Sequence, residues 1–222
     1  MVKQGFLNLA EDEKNNIIEA ALDEFSEKDF EAASLNNIIA RAGISKGSMY
    51  HYFNNKEDLY LYVIEYAMAI KSQFLGSALE QSGKALTDMS FFENLEFQML
   101  ASVDFALQHY RLHQFGLRLQ SIAEGPLRER LYGDLDRAFE EHVIQMVEDA
   151  ISAGEIRADF DRDFVIRILK FTLMRFTEIY PAYQEFGPED REALKDEARK
   201  IILFLKQGLQ KCSSKEEKYE LL

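Results

Sequence analysis

Apolar positions return every three or four residues along most of the chain, the spacing of one helix face. Ile17, Ile18, Ala21, Leu22 and Phe25 predict a first helix over about 11–26 whose acids face solvent. Residues 1–10 read as a loose arm, and Phe30 as the anchor of the loop after that helix. Leu35, Ile38, Ile39 and Ala42 make the stripe of a short second helix. Ser34 stands before it as an N-cap, and Gly43 after it at a position where positive φ is cheap only for glycine. Ile44 plugs the turn, and Ser45 caps a third helix that ends near Tyr52 or Phe53. A fourth helix starts at Asn55, with Asp58 placed to complete a reciprocal cap. Leu59, Tyr62, Val63, Tyr66, Ile70 and Phe74 run down one side of it. At about 30 Å it is long enough to pass from one domain into another.

The pattern continues as helix to the C-terminus. Gln81-Ser-Gly-Lys84 is a break, and Ser90 with Glu93 caps a helix reaching about residue 109. Gly125-Pro126 interrupts, and a long helix follows to Ala153 and stops at Gly154. Residues 155–161 form a loop, a helix covers about 162–180 before Pro181, and a last helix has Pro188 at its start. Residues 213–222 are a charged, frayed tail. The fold class is all-α.

Composition fits a compact helical protein: 222 residues, 47% hydrophobic, three Pro and 11 Gly. The single cysteine, Cys212, cannot make an internal disulfide. The N-terminus lacks a signal peptide's apolar core. The most apolar window, 59–79, contains Glu65 and Lys71 and reads as a buried helix, not a membrane span. The expected location is cytoplasmic.

Charge sharpens the picture. The chain carries 26 basic and 39 acidic residues, a net −13. Residues 32–56 nevertheless hold no Asp or Glu, and their charges are Arg41, Lys46 and Lys56. Such a cleared face can grip a phosphate backbone, because charges beyond about 8 Å are largely screened at physiological salt. Spacing sorts the third helix: Met49 and Phe53 point inward, while Gly47, Tyr50, His51 and Asn54 point outward. Gly47 would let the helix come close to DNA, and N-terminal N–H groups favour anions.

The run Ala-Gly-Ile-Ser-Lys-Gly-Ser-Met-Tyr-His-Tyr-Phe-Asn-Asn-Lys-Glu-Asp-Leu at 42–59 resembles the helix-turn-helix of the TetR family of bacterial repressors. Ile17-Ile18-Glu-Ala-Ala-Leu-Asp-Glu-Phe25 is similar to that family's first helix. Asp29 stands where the family usually has Gly, Ala33 where Thr is common, and Ile39 replaces a usual Ala. The resemblance implies a helix-turn-helix DNA-binding domain over 1–56, linked by the fourth helix, about 56–80. A helical ligand-binding and dimerisation domain over 57–212 and the tail would complete the chain. It implies a homodimer on a palindromic double-stranded operator, released by a small-molecule effector as a repressor. An activator, or a regulator without ligand control, would carry the same motif. DNA contacts are implied at Ser34, Asn36, Ser45, Lys46, Gly47, Ser48, Tyr50, His51, Tyr52 and Lys56, with Lys46 reading bases and Lys56 holding a phosphate.

The C-terminal candidates are less specific. Phe97, Phe105, Phe115, Arg118, Met146, Phe171, Met174 and Arg175 are candidates to line an effector pocket; each apolar one is equally a core residue. Arg118 and Arg175 serve either an anionic ligand or an ion pair. Phe164, Ile168, Phe171, Leu203 and Phe204 either form a dimer interface or fill the monomer's own core. His109 and His113 have the i,i+4 spacing of two metal ligands, but no third ligand is evident. No nucleophile–base set, P-loop, dinucleotide turn or CxxC is present, so no enzyme activity, cofactor or metal is expected. A helical hydrolase using His109 and His113 is the rival reading.

Overall fold

The computed structural model describes residues 2–123, 125–157, 159–174 and 186–211. In order, the helices are α1 (Gln4–Leu7), α2 (Glu11–Glu27), α3 (Leu35–Ala42), α4 (Lys46–Tyr52), α5 (Lys56–Ser82), α6 (Phe91–Gln108), α7 (Tyr110–Gln120), α8 (Pro126–Ser152), α9 (Arg162–Met174) and α10 (Arg191–Leu209). The fold is all-α. Among the described residues the only bridge outside helices pairs Ile156 with Gln210. Tyr180, Pro181, Arg175, Cys212 and the tail lie outside the described residues.

The chain divides into two compact units, one of residues 1–81 with 104–136, the other of 82–103 with the described residues from 137 onward. The first unit extends well past Lys56. Its core joins Ile17, Ala21 and Phe25 of α2 to Ile38, Met49 and Phe53, then to Leu59, Tyr60 and Val63 of α5, and to Phe115 of α7. Three short helices bury too little apolar surface alone, and α5 and α7 supply the rest. Tyr60 sits at the centre, its ring 4.7 Å from that of Phe25, 4.9 Å from Phe30 and 5.2 Å from Phe115.

Two expectations are corrected here. The N-terminal arm is not loose. Residues 4–7 form α1, and Phe6 is fully buried with its ring 4.9 Å from both Phe53 and Tyr62. Burying one such ring stabilises by about 2 kcal/mol, enough to order a four-residue segment. The acids of α2 do not all face solvent either: Glu24 is fully buried. A third difference is local. The expected helix up to about residue 109 ends at Gln108, and His109 (φ −121°, ψ 52°) separates α6 from α7.

In the second unit Ser90 and Glu93 form the expected reciprocal cap. Ser90 N–H donates to Glu93 Oε2 at 2.9 Å, and Glu93 N–H to Ser90 Oγ at 3.4 Å. Glu155 in the loop after α8 accepts the Phe91 N–H at 2.7 Å, tying that loop to the start of α6. Pro188 opens a 3-10 turn, Pro188–Asp190, before α10, because Gly187 N–H donates to Asp190 at 2.9 Å and tightens the entry. Val165, Ile166 and Leu169 of α9 and Ile201, Ile202 and Leu205 of α10 are buried. Phe164, Ile168, Phe171, Leu203 and Phe204 are all exposed, from 36% at Ile168 to 75% at Phe204.

Candidate nucleic-acid interface

The geometry begins at Glu24. Its carboxylate accepts from Lys28 Nζ at 2.7 Å, from Ser34 N–H at 2.9 Å and from Asn37 Nδ2 at 3.2 Å. Burial alone would push this carboxyl up. The Lys28 ammonium, the Ser34 N–H and the Asn37 amide outweigh it and hold the group below its ordinary range. Glu24 thus fixes the start of α3 from inside. Ser34 caps the same end, its Oγ accepting the Asn37 N–H at 3.4 Å. At the other end Gly43 has φ 66°, and the N–H groups of Gly43 and Ile44 donate to Ala40 and Ile39 carbonyls at 3.3 Å.

This turn delivers α4. Ser45 Oγ accepts the Ser48 N–H at 2.9 Å and lies 2.8 Å from Ser48 Oγ. Met49 and Phe53 anchor the helix in the core, 0% and 1% exposed. Lys46, Gly47, Tyr50 and His51 are consequently exposed. Asn36 projects from α3 beside them in sequence order and is also exposed. A side chain on Gly47 would meet only Ser45 Oγ, at 3.6 Å, so the outer face of α4 is open there.

Four expected DNA contacts have structural duties. Ser34 and Ser45 are helix caps whose hydroxyls already accept backbone N–H groups. Tyr52 is half-buried, its ring 6.1 Å from Phe6 and 5.8 Å from His51. Lys56 departs most from expectation. Its ammonium donates to the carbonyls of Phe30, of Glu31 at 3.2 Å and of Ala33 at 2.9 Å, and lies 4.6 Å over the Phe30 ring. An ammonium has three donors, and here all three hold the loop between α2 and α3. The ammonium expected to hold a phosphate is engaged here as a loop clamp. Arg41 is also engaged, 3.8 Å from Asp23 and 3.6 Å from Glu27.

Sequence reasoning missed Glu24, Lys3 and the clamp at Lys56. Glu24 had a signal: it lies seven residues after Ile17 and three after Ala21, on the apolar face of α2. Lys56 had none, because its carbonyl partners are set by a loop path.

The described pocket candidates fall in both units: Phe105, Phe115 and Arg118 in the first, Phe97, Met146 and Phe171 in the second. Phe115 belongs to the core of the first unit, 1% exposed. Arg118 is exposed and pairs with Asp29 at 3.5 Å while donating to the Ser26 and Glu27 carbonyls at 3.4 Å. Phe105 is buried, stacked on His109 at 4.9 Å and edge-on to Phe74 at 5.5 Å. His109 is thus one member of an aromatic cluster. Phe97 and Met146 are half-buried, and Phe171 is 61% exposed. The side chain of Met174 and all of Arg175 lie outside the described residues.

Comparison with known proteins agrees with this geometry. The sequence model of the bacterial regulatory proteins of the tetR family matches residues 17–63, which run from α2 into α5. The HTH-type transcriptional regulator UidR of Escherichia coli is 29% identical over 163 residues, 72% of this chain and 77% of UidR. The transcriptional regulator AcuR of Cereibacter sphaeroides is 28% identical over 149 residues, 67% of each chain. A crystal structure of a TetR family transcriptional regulator from Chloroflexus aurantiacus superposes with a TM-score of 0.72 at 26% identity, covering 96% of this chain and all of that one.

Proposed function

We propose that this chain is a TetR-family DNA-binding transcriptional regulator that works as a homodimeric cytoplasmic repressor, released from a near-palindromic operator by a small molecule. The observation that carries the DNA-reading half is the outer face of α4. Lys46, Gly47, Tyr50 and His51 are exposed side by side on a helix whose other face is locked into a core. Two copies of α4 one helical turn apart would enter successive major grooves. Lys46 is the base-reading residue. Ser48 and Tyr50 hold phosphates, which set register without reading sequence.

The dimer is supported by the apolar side chains that α9 and α10 leave in solvent. Phe164, Ile168 and Phe171 recur at i, i+4 and i+7 on α9, and Leu203 and Phe204 stand on α10. Large apolar side chains left exposed in this way mark an association surface. Two helices from each copy would close into a four-helix interface related by a two-fold axis. Release needs a ligand that prefers the DNA-incompetent state; a tenfold loss of operator affinity requires about 1.4 kcal/mol of coupling. The effector domain is the helical part after the motif. As the carrier of the change we propose α5, with α7 beside it, because the Phe115 ring of α7 lies 5.2 Å from that of Tyr60 of α5 while Arg111 of α7 pairs with Glu19 and, at 2.8 Å, with Asp23 of α2.

The test is selection of bound duplexes from random DNA with the full chain, followed by release of the selected operator with a library of small metabolites. An inverted-repeat consensus and a releasing compound are the expected results. A protein that enriches no sequence ends the regulator reading; a consensus with no releasing compound ends the ligand-release part alone.

A further inference from the structure

The recognition helix α4 is only Lys46–Tyr52, and its last carbonyls have no partner within the helix. The N-terminal segment takes two of them. Lys3 Nζ donates to the Tyr50 carbonyl at 2.8 Å, and the Lys3 N–H donates to the Tyr52 carbonyl at 3.0 Å. A cation at that end also opposes the negative pole of the helix dipole. Phe6 then drives the segment home, buried against Phe53 and Tyr62. Between these two anchors lies Gly5. A Cβ there would come within 2.5 Å of Cδ2 and Nε2 of His51, and within 3.2 Å of the His51 carbonyl oxygen. Gly5 has no positive φ, so its value is the missing side chain. The ring it accommodates belongs to an exposed residue on the outer face of α4.

We propose that Lys3–Leu7 is a positioning element for operator reading, in which Lys3 fixes the last turn of α4 and Gly5 sets the orientation in which His51 meets the duplex. The proposal rests on the operator-binding reading above. It predicts an effect on the preference for operator over other DNA, which a loss of folded protein would not produce. Unfolding lowers the affinity for every duplex by one common factor.

The experiment uses the full chain, the operator chosen by selection and an unrelated duplex of equal length, with both affinities measured across a range of salt. Gly5→Ala should weaken operator binding about tenfold, the size of one good base contact, and leave the unrelated duplex nearly unchanged. In a His51→Ala background the same change should do nothing further, because the displaced ring is gone. Lys3→Met should also lower the preference for operator, with the salt dependence unaltered. Gly5→Ala binding as tightly as the parent, or costing the same factor in both backgrounds, overturns the role of Gly5. Lys3→Met weakening both duplexes equally, with the salt slope reduced by about one, makes Lys3 a phosphate contact and overturns its positioning role. If the parent protein prefers no duplex at all, the operator reading itself fails, a result visible before any variant is compared.

Discussion

Gly47 and Glu24 show how single residues set up the proposed DNA-facing surface from opposite sides. Outside, Gly47 leaves α4 smooth, and a Cβ there would meet nothing of the protein within 4 Å but Ser45 Oγ at 3.6 Å. Gly47→Leu should therefore keep the melting temperature within a few degrees and abolish operator binding, because the new side chain would occupy the space of the groove wall. Normal operator affinity in this variant would reject the docking pose. Inside, Glu24 holds Lys28, Ser34 and Asn37, and its carboxyl is depressed below the ordinary range. A depressed folded-state pKa means that Glu24 stabilises the fold fully above the unfolded value of about 4.3 and loses that effect as pH falls through the folded value. Glu24→Gln should melt at lower temperature than the parent at pH 7, by about 2 kcal/mol in stability. The gap should close on acidification below pH ~4; a constant gap across that range would show that the carboxylate charge is not what matters.

At the scale of elements, α7 and α10 matter more than their sequences suggest. Helix α7 docks on α2 through Phe115, whose ring lies 6.4 Å from Phe25, and through Arg111 and Arg118 at the rim. Exposed pairs of this kind contribute at most about 1 kcal/mol each, so the buried ring holds the contact and the arginines set its register. Helix α10 divides its apolar residues cleanly: Ile201, Ile202 and Leu205 are buried, while Leu203 and Phe204 are not. A charge at Phe204, 75% exposed in the single chain, costs the monomer fold little. Phe204→Glu should sediment as a monomer with near-parental helicity, and should lose about a hundredfold in operator affinity because two linked reading heads become one. A variant that stays dimeric with unchanged affinity would place the association surface elsewhere.

For the whole molecule the electrostatics are leaner than the acid-free stretch implies. A net charge of −13 opposes DNA, and of Arg41, Lys46 and Lys56, Arg41 faces Asp23 and Glu27 while Lys56 holds loop carbonyls. Salt dependence of binding reports the number of phosphates neutralised, about 0.9 per contact on a log–log plot. Lys56→Ala should leave that slope unchanged while lowering the melting temperature, since three loop carbonyls lose their donor. Lys46→Ala should weaken operator binding without a loss of stability. A lower slope for Lys56→Ala would restore it as a phosphate contact.

Much of this architecture is legible in one dimension, because it depends on neighbours along the chain. Helical spacing of Ile17, Ala21 and Phe25, the caps at Ser34 and Ser45, the left-handed Gly43 and the inward pair Met49 and Phe53 involve residues within a turn or two of each other. The same local rules place Lys46, Gly47, Tyr50 and His51 on an outward face. Partnerships across long separations were decided only in three dimensions. Lys3 reaches Tyr50, Lys56 reaches Phe30, Arg111 reaches Asp23, and Phe115 enters the core of α2 and α5. The physical reason is that spacing encodes which side of a helix a residue takes. Which distant backbone carbonyl, carboxylate or ring then lies opposite it follows from how the helices pack.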